Sequence, residues 1–534
     1  MADGWMLADL ELLAPDPATD AALSAAAAPV LTDTPNRESV SITPNDPRYQ
    51  DLLLRGYNRR FTGSPDNIRV VTGTGQVIDA VNDAVREGKQ IGVRGGGHNL
   101  DGLVDDPRVR SVIDMTGMRA ISYDPVMRAF SIEAGATLGE VYRTLYYGWG
   151  VTLPGGACPP VGVGGHITGG GYGALSRQYG LVADNLYAVE VVVVPARGSA
   201  RAVVATREPG DPNRDLWWAH SGGGGGNFGV VTRFWLRSPN ARTNDPGRIL
   251  PKAPGGTLVS RAVWSWNELD RNTFVRIARN IGVWHERHSA PGMKENALYG
   301  GFIAPRSELG TVTVAGQIDP TVEGNEQILQ DYIEAACENV GVKPTIITSA
   351  RLPWLTTIMS YVDTGIGLGA KAPLRSKTKG AYLRRRYTDS QMETVHAYLT
   401  GPDYHHGPAA FALSSYGGQI NALAPDATAT SHRRAVLLGA IYSYWDKAED
   451  DARHLTWQRD FYRDLHQNAG GVPAPGDQYD GCYIGWPDVD LADPALNTSR
   501  TTWQTLFYAD NYARLKKIKK VWDPRGVFRH ALSV

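Results

Sequence analysis

The sequence predicts an α+β fold spread over two or three domains, one of them built on an antiparallel sheet backed by helices. Three observations carry this expectation. A β-α-β unit emerges at residues 68–94. A long β-branched run, "LYAVEVVVVPA", occupies 186–196. Between two Pro/Gly-rich breaks, at 238–256 and 468–481, alternating strand patterns are mixed with amphipathic helices. The chain has 534 residues, more than one ordinary hydrophobic core holds.

Residues 1–45 are Ala/Pro/Asp-rich and weakly patterned, and read as an extension with one short helix. "IRVV" is a short apolar strand. Thr74 is placed to cap a helix running to about Arg86, with Val77, Ile78, Val81 and Val85 on one face. Gly88 ends that helix, and the next strand, "QIGVR", runs into Gly95, Gly96 and Gly97. "SVIDMTGM" and "AFSIEAGATLGEVYRTLYYGWG" give further strands and a helix. The 186–196 run suits a strand buried on both faces. After the first break come four strand patterns, "TLVSRAVWSW", "ENALYGGFIA", "TVTVAGQI" and "RRAVLLGAIYSYW", with helices near 324–338 and 388–399. That mixture predicts an antiparallel sheet with helices on one side. The tail from Leu506 begins with a helix and ends at Asp523-Pro524.

Composition removes several function classes. Lys+Arg total 54 and Asp+Glu 55, a net charge of −1, so no electrostatic footprint for nucleic acid or an anionic membrane exists. No apolar run approaches the roughly 20 residues that span a bilayer. The N-terminal stretch carries acids and no Lys or Arg, unlike a secretory signal, so a cytoplasmic location is expected. Cys158, Cys337 and Cys482 are too few and too odd in number for a disulfide framework.

The information lies in three glycine clusters, 95–97, 155–173 and 222–226, each flanked by strand-like sequence. Bare backbone lets a ligand approach closely and lets successive N–H groups point inward at an anion. Any one cluster reads about equally well as a tight turn. Three together favour a large ligand bearing a pyrophosphate. A Walker pattern is absent, and no G-x-G-x-x-G opens a helix after the first strand, which disfavours nucleotide hydrolysis and a Rossmann site. His98 and Cys158 lie in or beside these loops without the further ligands that zinc needs, so no metal is expected. His405 and His406 read as a surface pair. A Cys–His hydrolase lacks its local signature.

"VRGGGHN", then "PGGACPPVGVGGHITGGGYG", then "WWAHSGGGGGNFGVVTRF" resemble the berberine-bridge-enzyme-like FAD-linked oxidases of the vanillyl-alcohol oxidase/PCMH-type superfamily. "YGGQINALAPDATATSHR", "CYIGWPDVDL" and "YADNYARLKKIKKVWDPRGVF" extend the likeness over nearly the whole chain, toward bacterial members of secondary metabolism. The resemblance implies an N-terminal extension at 1–45 and a two-part FAD-binding domain at 46–245 and 475–534. A substrate domain at 246–474 would sit between the two parts. It further implies a bicovalent FAD, with His98 on the flavin 8α-methyl and Cys158 on C6. Two covalent bonds hold the ring without enclosing it, and withdrawal of ring electron density favours hydride acceptance. By the same resemblance Arg94, Gly95, Gly96, Gly97, Asn99, Gly155, Gly156, Gly162, Gly164, Gly165, Gly169, Gly170, Gly180 and Tyr483 line the cofactor. Asp184, Asn185, Gly229 and Val231 fall near its adenosine or pyrophosphate, and His166 is a non-covalent neighbour. Val161 occupies the oxygen-gate position, where a small residue admits O2 and implies peroxide formation. Tyr172 matches an active-site tyrosine.

The pattern departs at one place. The family's Tyr-x-Asn-Tyr, whose second tyrosine takes the hydroxyl proton of an alcohol, reads Tyr483-Ile484-Gly485-Trp486 here. An indole N–H cannot accept a proton. Tyr483, Tyr172, Tyr479 or a histidine or acid of the substrate domain is left to do so. Alternatively the substrate needs no base, as with an amine whose own lone pair expels hydride. The leading expectation is oxidation of a sugar or polyketide alcohol of a bulky secondary metabolite by O2, on a monomer or homodimer. Amine oxidation is the first rival, and a tryptophan platform for a cyclisation is another. A non-catalytic flavoprotein or glycan-binding module, suited by 14 tryptophans and 24 tyrosines, is a third.

Overall fold

The computed structural model describes residues 39–360, 374–405 and 407–534. The helix expected in the N-terminal extension and His406 lie outside them. Strands β1 (Val40–Ile42), β2 (Asn67–Val70), β3 (Gln90–Arg94) and β4 (Val109–Asp114) form a four-stranded sheet of order β1-β2-β4-β3. Strands β2, β4 and β3 are parallel, as a β-α-β crossover requires, and β1 joins the edge antiparallel. The crossover helix, Thr74–Arg86, buries Val77, Ala80, Val81 and Ala84, with Ile78 and Val85 at the edges of that stripe. Thr74 is inside the helix, not its cap. Gly73 takes the N-cap, and the Thr74 hydroxyl instead donates to Glu190 Oε1 at 2.7 Å, tying the helix to the next sheet.

That sheet contains β5 (Ile121–Asp124), β6 (Ala129–Glu133), β7 (Leu186–Val193), β8 (Arg201–Thr206) and β9 (Val230–Leu236), antiparallel in the order β5-β6-β9-β7-β8. The crossover helix packs against both sheets. A second helix, Leu138–Trp149, starts at a Thr137/Glu140 capping box and stops at Gly150, whose φ of +67° ends the helix in a left-handed turn. It leads straight into the second glycine loop.

The third sheet has eight antiparallel strands, β10 (Leu258–Ser265), β11 (Tyr299–Pro305), β12 (Thr311–Ile318), β13 (Thr345–Thr348), β14 (Arg375–Leu383), β15 (Ala409–Ser415), β16 (Leu437–Trp445) and β17 (Tyr479–Gly481). Their order is β13-β10-β12-β11-β15-β16-β14-β17. Helices Arg271–Arg287, Asn325–Cys337, Asp389–Thr400 and Asp451–Leu465 form one layer against it. Gly300 and Gly316 leave room for Tyr332 of that layer. Alternation along β11 and β12 therefore turns Tyr299 and Gln317 to the opposite face.

The expected α+β class and helix-backed antiparallel sheet are both present. In this layer the sequence reading omitted helices Arg271–Arg287 and Asp451–Leu465 and strands β13, β14, β15 and β17, the last of which it placed in the 468–481 break. β14 hides because it carries Lys377 and Lys379, 1% and 3% exposed, residue types rarely buried without partners. Here partners exist: Lys377 Nζ donates to Asp101 Oδ2 at 2.8 Å and Asp488 Oδ1 at 2.7 Å, and Lys379 Nζ to Asp488 Oδ2 at 2.7 Å. Among the described residues, no helix is long and apolar enough to cross a membrane, and no group of three or more His, Cys, Asp or Glu is placed to hold a metal ion.

Candidate active site

A cavity of about 1100 Å³ lies between the glycine loops and the helix-free face of the eight-stranded sheet. The loops reach it because their backbones touch. A Cβ on Gly96 would come within 2.7 Å of the Pro160 carbonyl oxygen, and one on Gly162 within 2.9 Å of Gly96 Cα. Only glycine allows that approach, which brings the His98 and Cys158 loops side by side. Gly165 meets no atom within 4 Å of its Cβ position, and its open side belongs to the cavity.

The lining contains most of the expected residues: Arg94, Gly95, Gly96, Gly97, His98, Asn99, Gly155, Gly156, Cys158, Val161, Gly162, Gly164, Gly165, His166, Gly169, Tyr172, Gly229, Val231, Tyr483 and Trp486. It does not contain Gly170, Gly180, Asp184 or Asn185. Gly170 has φ +108° and faces Thr430 Oγ1, 2.8 Å from its Cβ position. Gly180, at φ +78°, faces Asp184 Oδ2. Asp184 holds the buried Arg433 guanidinium at 2.6 Å and also accepts the Leu181 N–H. Asn185 donates to the Leu181 carbonyl and accepts from Ser238 Oγ. These four residues brace one another and the neighbouring turn outside the cavity lining.

His98 is pushed down to about 4 by burial, so the imidazole is neutral at physiological pH. Its ring stacks on Tyr57 at 4.8 Å between centroids and 18° between planes. Cys158 is exposed toward the cavity. His166 is also neutral, pushed down to about 4 by burial, and its Nε2 accepts the Gly156 N–H at 3.1 Å. It thus shapes the cysteine loop from behind. Asn99 acts similarly, its Oδ1 accepting the N–H groups of Asp101 and Leu103.

Arg94 ends β3 at the bottom of the cavity. It reaches Asp114 Oδ2 at 3.2 Å, while its buried Nη2 has no hydrogen-bond partner. An orphaned guanidinium nitrogen beside a row of bare glycines fits a phosphate-bearing cofactor. The residues present therefore fit FAD.

Around Tyr172 and Tyr483 lies an aromatic cluster. Tyr172 donates to the Ser415 carbonyl, and burial, with Tyr299 and Tyr416 nearby, holds its phenol well above the usual range. Tyr483 is also buried, which pushes it up to about 12, but the backbone N–H groups of Tyr172 and Gly171 face its oxygen and oppose the rise. Gly171, at φ +73°, turns one of them inward. Trp486 packs edge-on to Tyr483 and Tyr442 at 5.7 and 6.0 Å, and its ring lies over Gly380, 3.1 Å from that residue's Cβ position. Tyr479 lies outside the lining, bonded to Gln391 and Asn468, which removes it from the candidate bases.

The sequence reading missed Tyr57, Tyr299, Gln317, Thr378, Tyr442 and Tyr444, all of which line the cavity. The alternation of Tyr442 and Tyr444 about Ser443 in β16 could have signalled two tyrosines on one face. Gly224–Asn227 of the third cluster also line it, as the glycine pattern suggested. Asp105 is the one carboxylic acid among the described lining residues.

Fold and cavity together define a flavin-dependent oxidoreductase. The FAD binding domain profile matches residues 65–202, and the berberine and berberine-like profile matches 482–534. The chain is 49% identical over 497 residues to aclacinomycin-N/aclacinomycin-A oxidase of Streptomyces galilaeus, covering 93% of this chain and 89% of that one. It is 30% identical to hexose oxidase of Chondrus crispus, covering 92% and 93%. Among solved structures, a glycopeptide hexose oxidase complexed with teicoplanin superposes with a TM-score of 0.88 at 46% identity, over 94% of this chain and 99% of that one. The chain belongs to the berberine-bridge-enzyme-like FAD-linked oxidases of the vanillyl-alcohol oxidase superfamily, and it is an FAD-linked oxidase.

Proposed function

We propose that this oxidase carries its FAD on His98 and Cys158. Its substrate would be a bulky neutral natural product, with a sugar or polyketide carbinol as the reacting group and O2 as the terminal acceptor. The observation that carries the substrate class is the sheet wall of the cavity. Tyr299, Gln317, Thr378, Tyr442 and Tyr444 supply aromatic faces and neutral hydrogen-bonding groups. Aromatic faces and uncharged donors suit a glycosyl or polycyclic hydroxyl compound. An amine is cationic at neutral pH, and the described wall offers it no carboxylate. Asp105, the lining carboxylate, is instead paired with Arg94 at 3.6 Å, its carboxyl raised by burial. The similarity to an aclacinomycin oxidase, a hexose oxidase and a glycopeptide hexose oxidase supports the same reading.

In this proposal residues 46–245 and 475–534 hold the cofactor and 246–474 the substrate, although β17 hydrogen-bonds to β14 of the large sheet. Arg94 and the backbone N–H groups of the glycine loops hold the pyrophosphate. When bound, FAD would supply the hydride acceptor for the carbinol carbon and the route for its electrons to O2. Val161, half-buried in the lining, leaves room for that gas. The chain's own chemical task is to take the hydroxyl proton. Tyr483 Oη is suited to it: two backbone N–H groups stabilise its phenolate, whereas Tyr172 Oη is committed to a carbonyl.

A peroxide-release screen of neutral glycosides and polyketide alcohols against amines tests the substrate class. Turnover of alcohols and not of amines is expected; the reverse would overturn it. The attachment has its own test. His98→Ala and Cys158→Ala should each leave a singly linked flavin, and the double variant should lose covalent flavin on denaturation. Because His98 titrates near 4, its linkage should form equally well at pH 6 and pH 8. An ordinary histidine would be largely protonated at the lower pH and would react more slowly.

A further inference from the structure

We infer that Tyr57 is a positioning residue for the His98–flavin bond, holding the imidazole plane in the orientation from which the bond forms. The inference rests on the reading that His98 carries the flavin. Tyr57 precedes the residues matched by the FAD-binding profile, and no motif marks it.

The geometry is that of a splint. The segment 55–58 grips the His98 loop on both sides. The Tyr57 N–H donates to the Gly97 carbonyl at 2.8 Å, and Asn58 Nδ2 donates to the Leu100 carbonyl at 2.6 Å. Gly97 sits at φ +77° with its Cβ position 2.5 Å from the Arg55 carbonyl oxygen, so the contact excludes any side chain there. Between these anchors the Tyr57 ring lies nearly parallel to the imidazole. Asn58 also bonds both ways with the Ser376 backbone in β14. The segment that carries the Tyr57 ring is thereby anchored to the large sheet as well as to the His98 loop.

Orientation matters because of what the bond requires. An imidazole nitrogen forms one N–C bond to the 8α carbon. One C–H and one N–H bond break, and the two electrons and two protons leave as H2O2 when O2 accepts them. A ring held face-on by Tyr57 keeps its nitrogen edge available, and an ångström-scale misplacement of a reacting group costs on the order of 10²-fold in rate. The Cys158 bond uses a different loop and should not depend on Tyr57.

The test is peptide mapping by mass spectrometry of the purified holoenzymes, scoring the His98 and Cys158 adducts separately. Y57F keeps the ring and loses the hydroxyl; Y57L loses the ring. Y57F is expected to carry both adducts as wild type does. Y57L is expected to keep the Cys158 adduct, which reports a folded cofactor site, and to lose the His98 adduct in most chains. A full His98 adduct in Y57L, or its loss in Y57F, would overturn the proposal. Absence of the His98 adduct from wild type would instead overturn the reading on which it rests. If Y57L does not fold, Y57M, which also lacks the ring, takes its place with the same expected and contrary outcomes.

Discussion

Replacing Tyr483 by phenylalanine is expected to lower kcat by about 10²–10⁴-fold, the usual cost of removing a general base. The fold should survive, because the ring keeps its contacts with Tyr382 and Trp486. The pH dependence provides a second readout. The phenol is pushed up to about 12, and the phenolate is the form that accepts a proton. Below that value the phenolate fraction rises with pH, so wild-type kcat/KM should climb through pH 6–9, and Y483F should lose the slope. The same geometry explains the unusual Gly485. A Cβ there would stand 2.6 Å from Tyr483 Oη, so Gly485→Ala should drive the ring off the two N–H donors and mimic Y483F. Trp486→Tyr adds a hydroxyl where the family usually has one. If it raises alcohol oxidation in a Y483F background, the two positions are alternative seats for one base. Y483F activity within threefold of wild type would move the role to another group.

Lys377→Met is expected to destabilise the protein by about 3–5 kcal/mol, the range for removing one partner of a buried ion pair. Lys377, Lys379, Asp101, Asp488 and Asp490 form a cluster in which each of the five is at most 6% exposed at the side chain. Asp101 follows the His98 loop and also accepts the Val489 N–H at 2.7 Å, while Asp488 follows Trp486 by two residues. The cluster therefore joins the two loops that flank the proposed reaction centre to β14. Burial disfavours the Lys377 ammonium, but Asp101, Asp488 and Asp490 outweigh it and hold its pKa above the usual range. Asp490 resists burial in the same way, Lys379 and Lys377 holding its carboxyl far below the usual range. The signs fix a pH window. The raised lysine stabilises the fold below its unfolded value of about 10.4, and that stability is lost as pH rises through the folded value. The depressed aspartate stabilises above its unfolded value of about 3.9, and that stability is lost as pH falls through the folded value. The loss in K377M should thus be largest between about pH 4 and pH 10, read as a lower denaturation midpoint in urea at unchanged m-value. A midpoint equal to wild type would mean the cluster contributes no net stability.

What could be read from the sequence follows from what glycine does. The cofactor side of the cavity is backbone, and backbone exposure leaves a compositional trace in Gly95–Gly97, Gly155–Gly173 and Gly222–Gly226. The same trace misleads at Gly170 and Gly180, where a positive φ serves a turn behind the cavity. The substrate side was not legible. Tyr299, Gln317, Thr378 and Tyr442 come from four strands of one sheet, and only the pairing register sets them on a common face. β14 was unreadable because its lysines are paired with acids that lie over a hundred residues away, at Asp101 and Asp488. Tyr57 reads as an ordinary tyrosine until its ring is seen on His98. The loss of the usual tyrosine at Trp486 was visible at once, but the proposal of Tyr483 as the base needed the surroundings of its hydroxyl, which no sequence pattern gives.

In the proposed attachment one FAD is tied to this chain through His98 and Cys158. Mass spectrometry of the denatured holoenzyme, intact and after proteolysis, is the decisive measurement. A chain heavier by one FAD is expected, together with a single flavin-bearing species that joins the His98 and Cys158 peptides. A chain of unmodified mass, with all of its flavin released on denaturation, would contradict it.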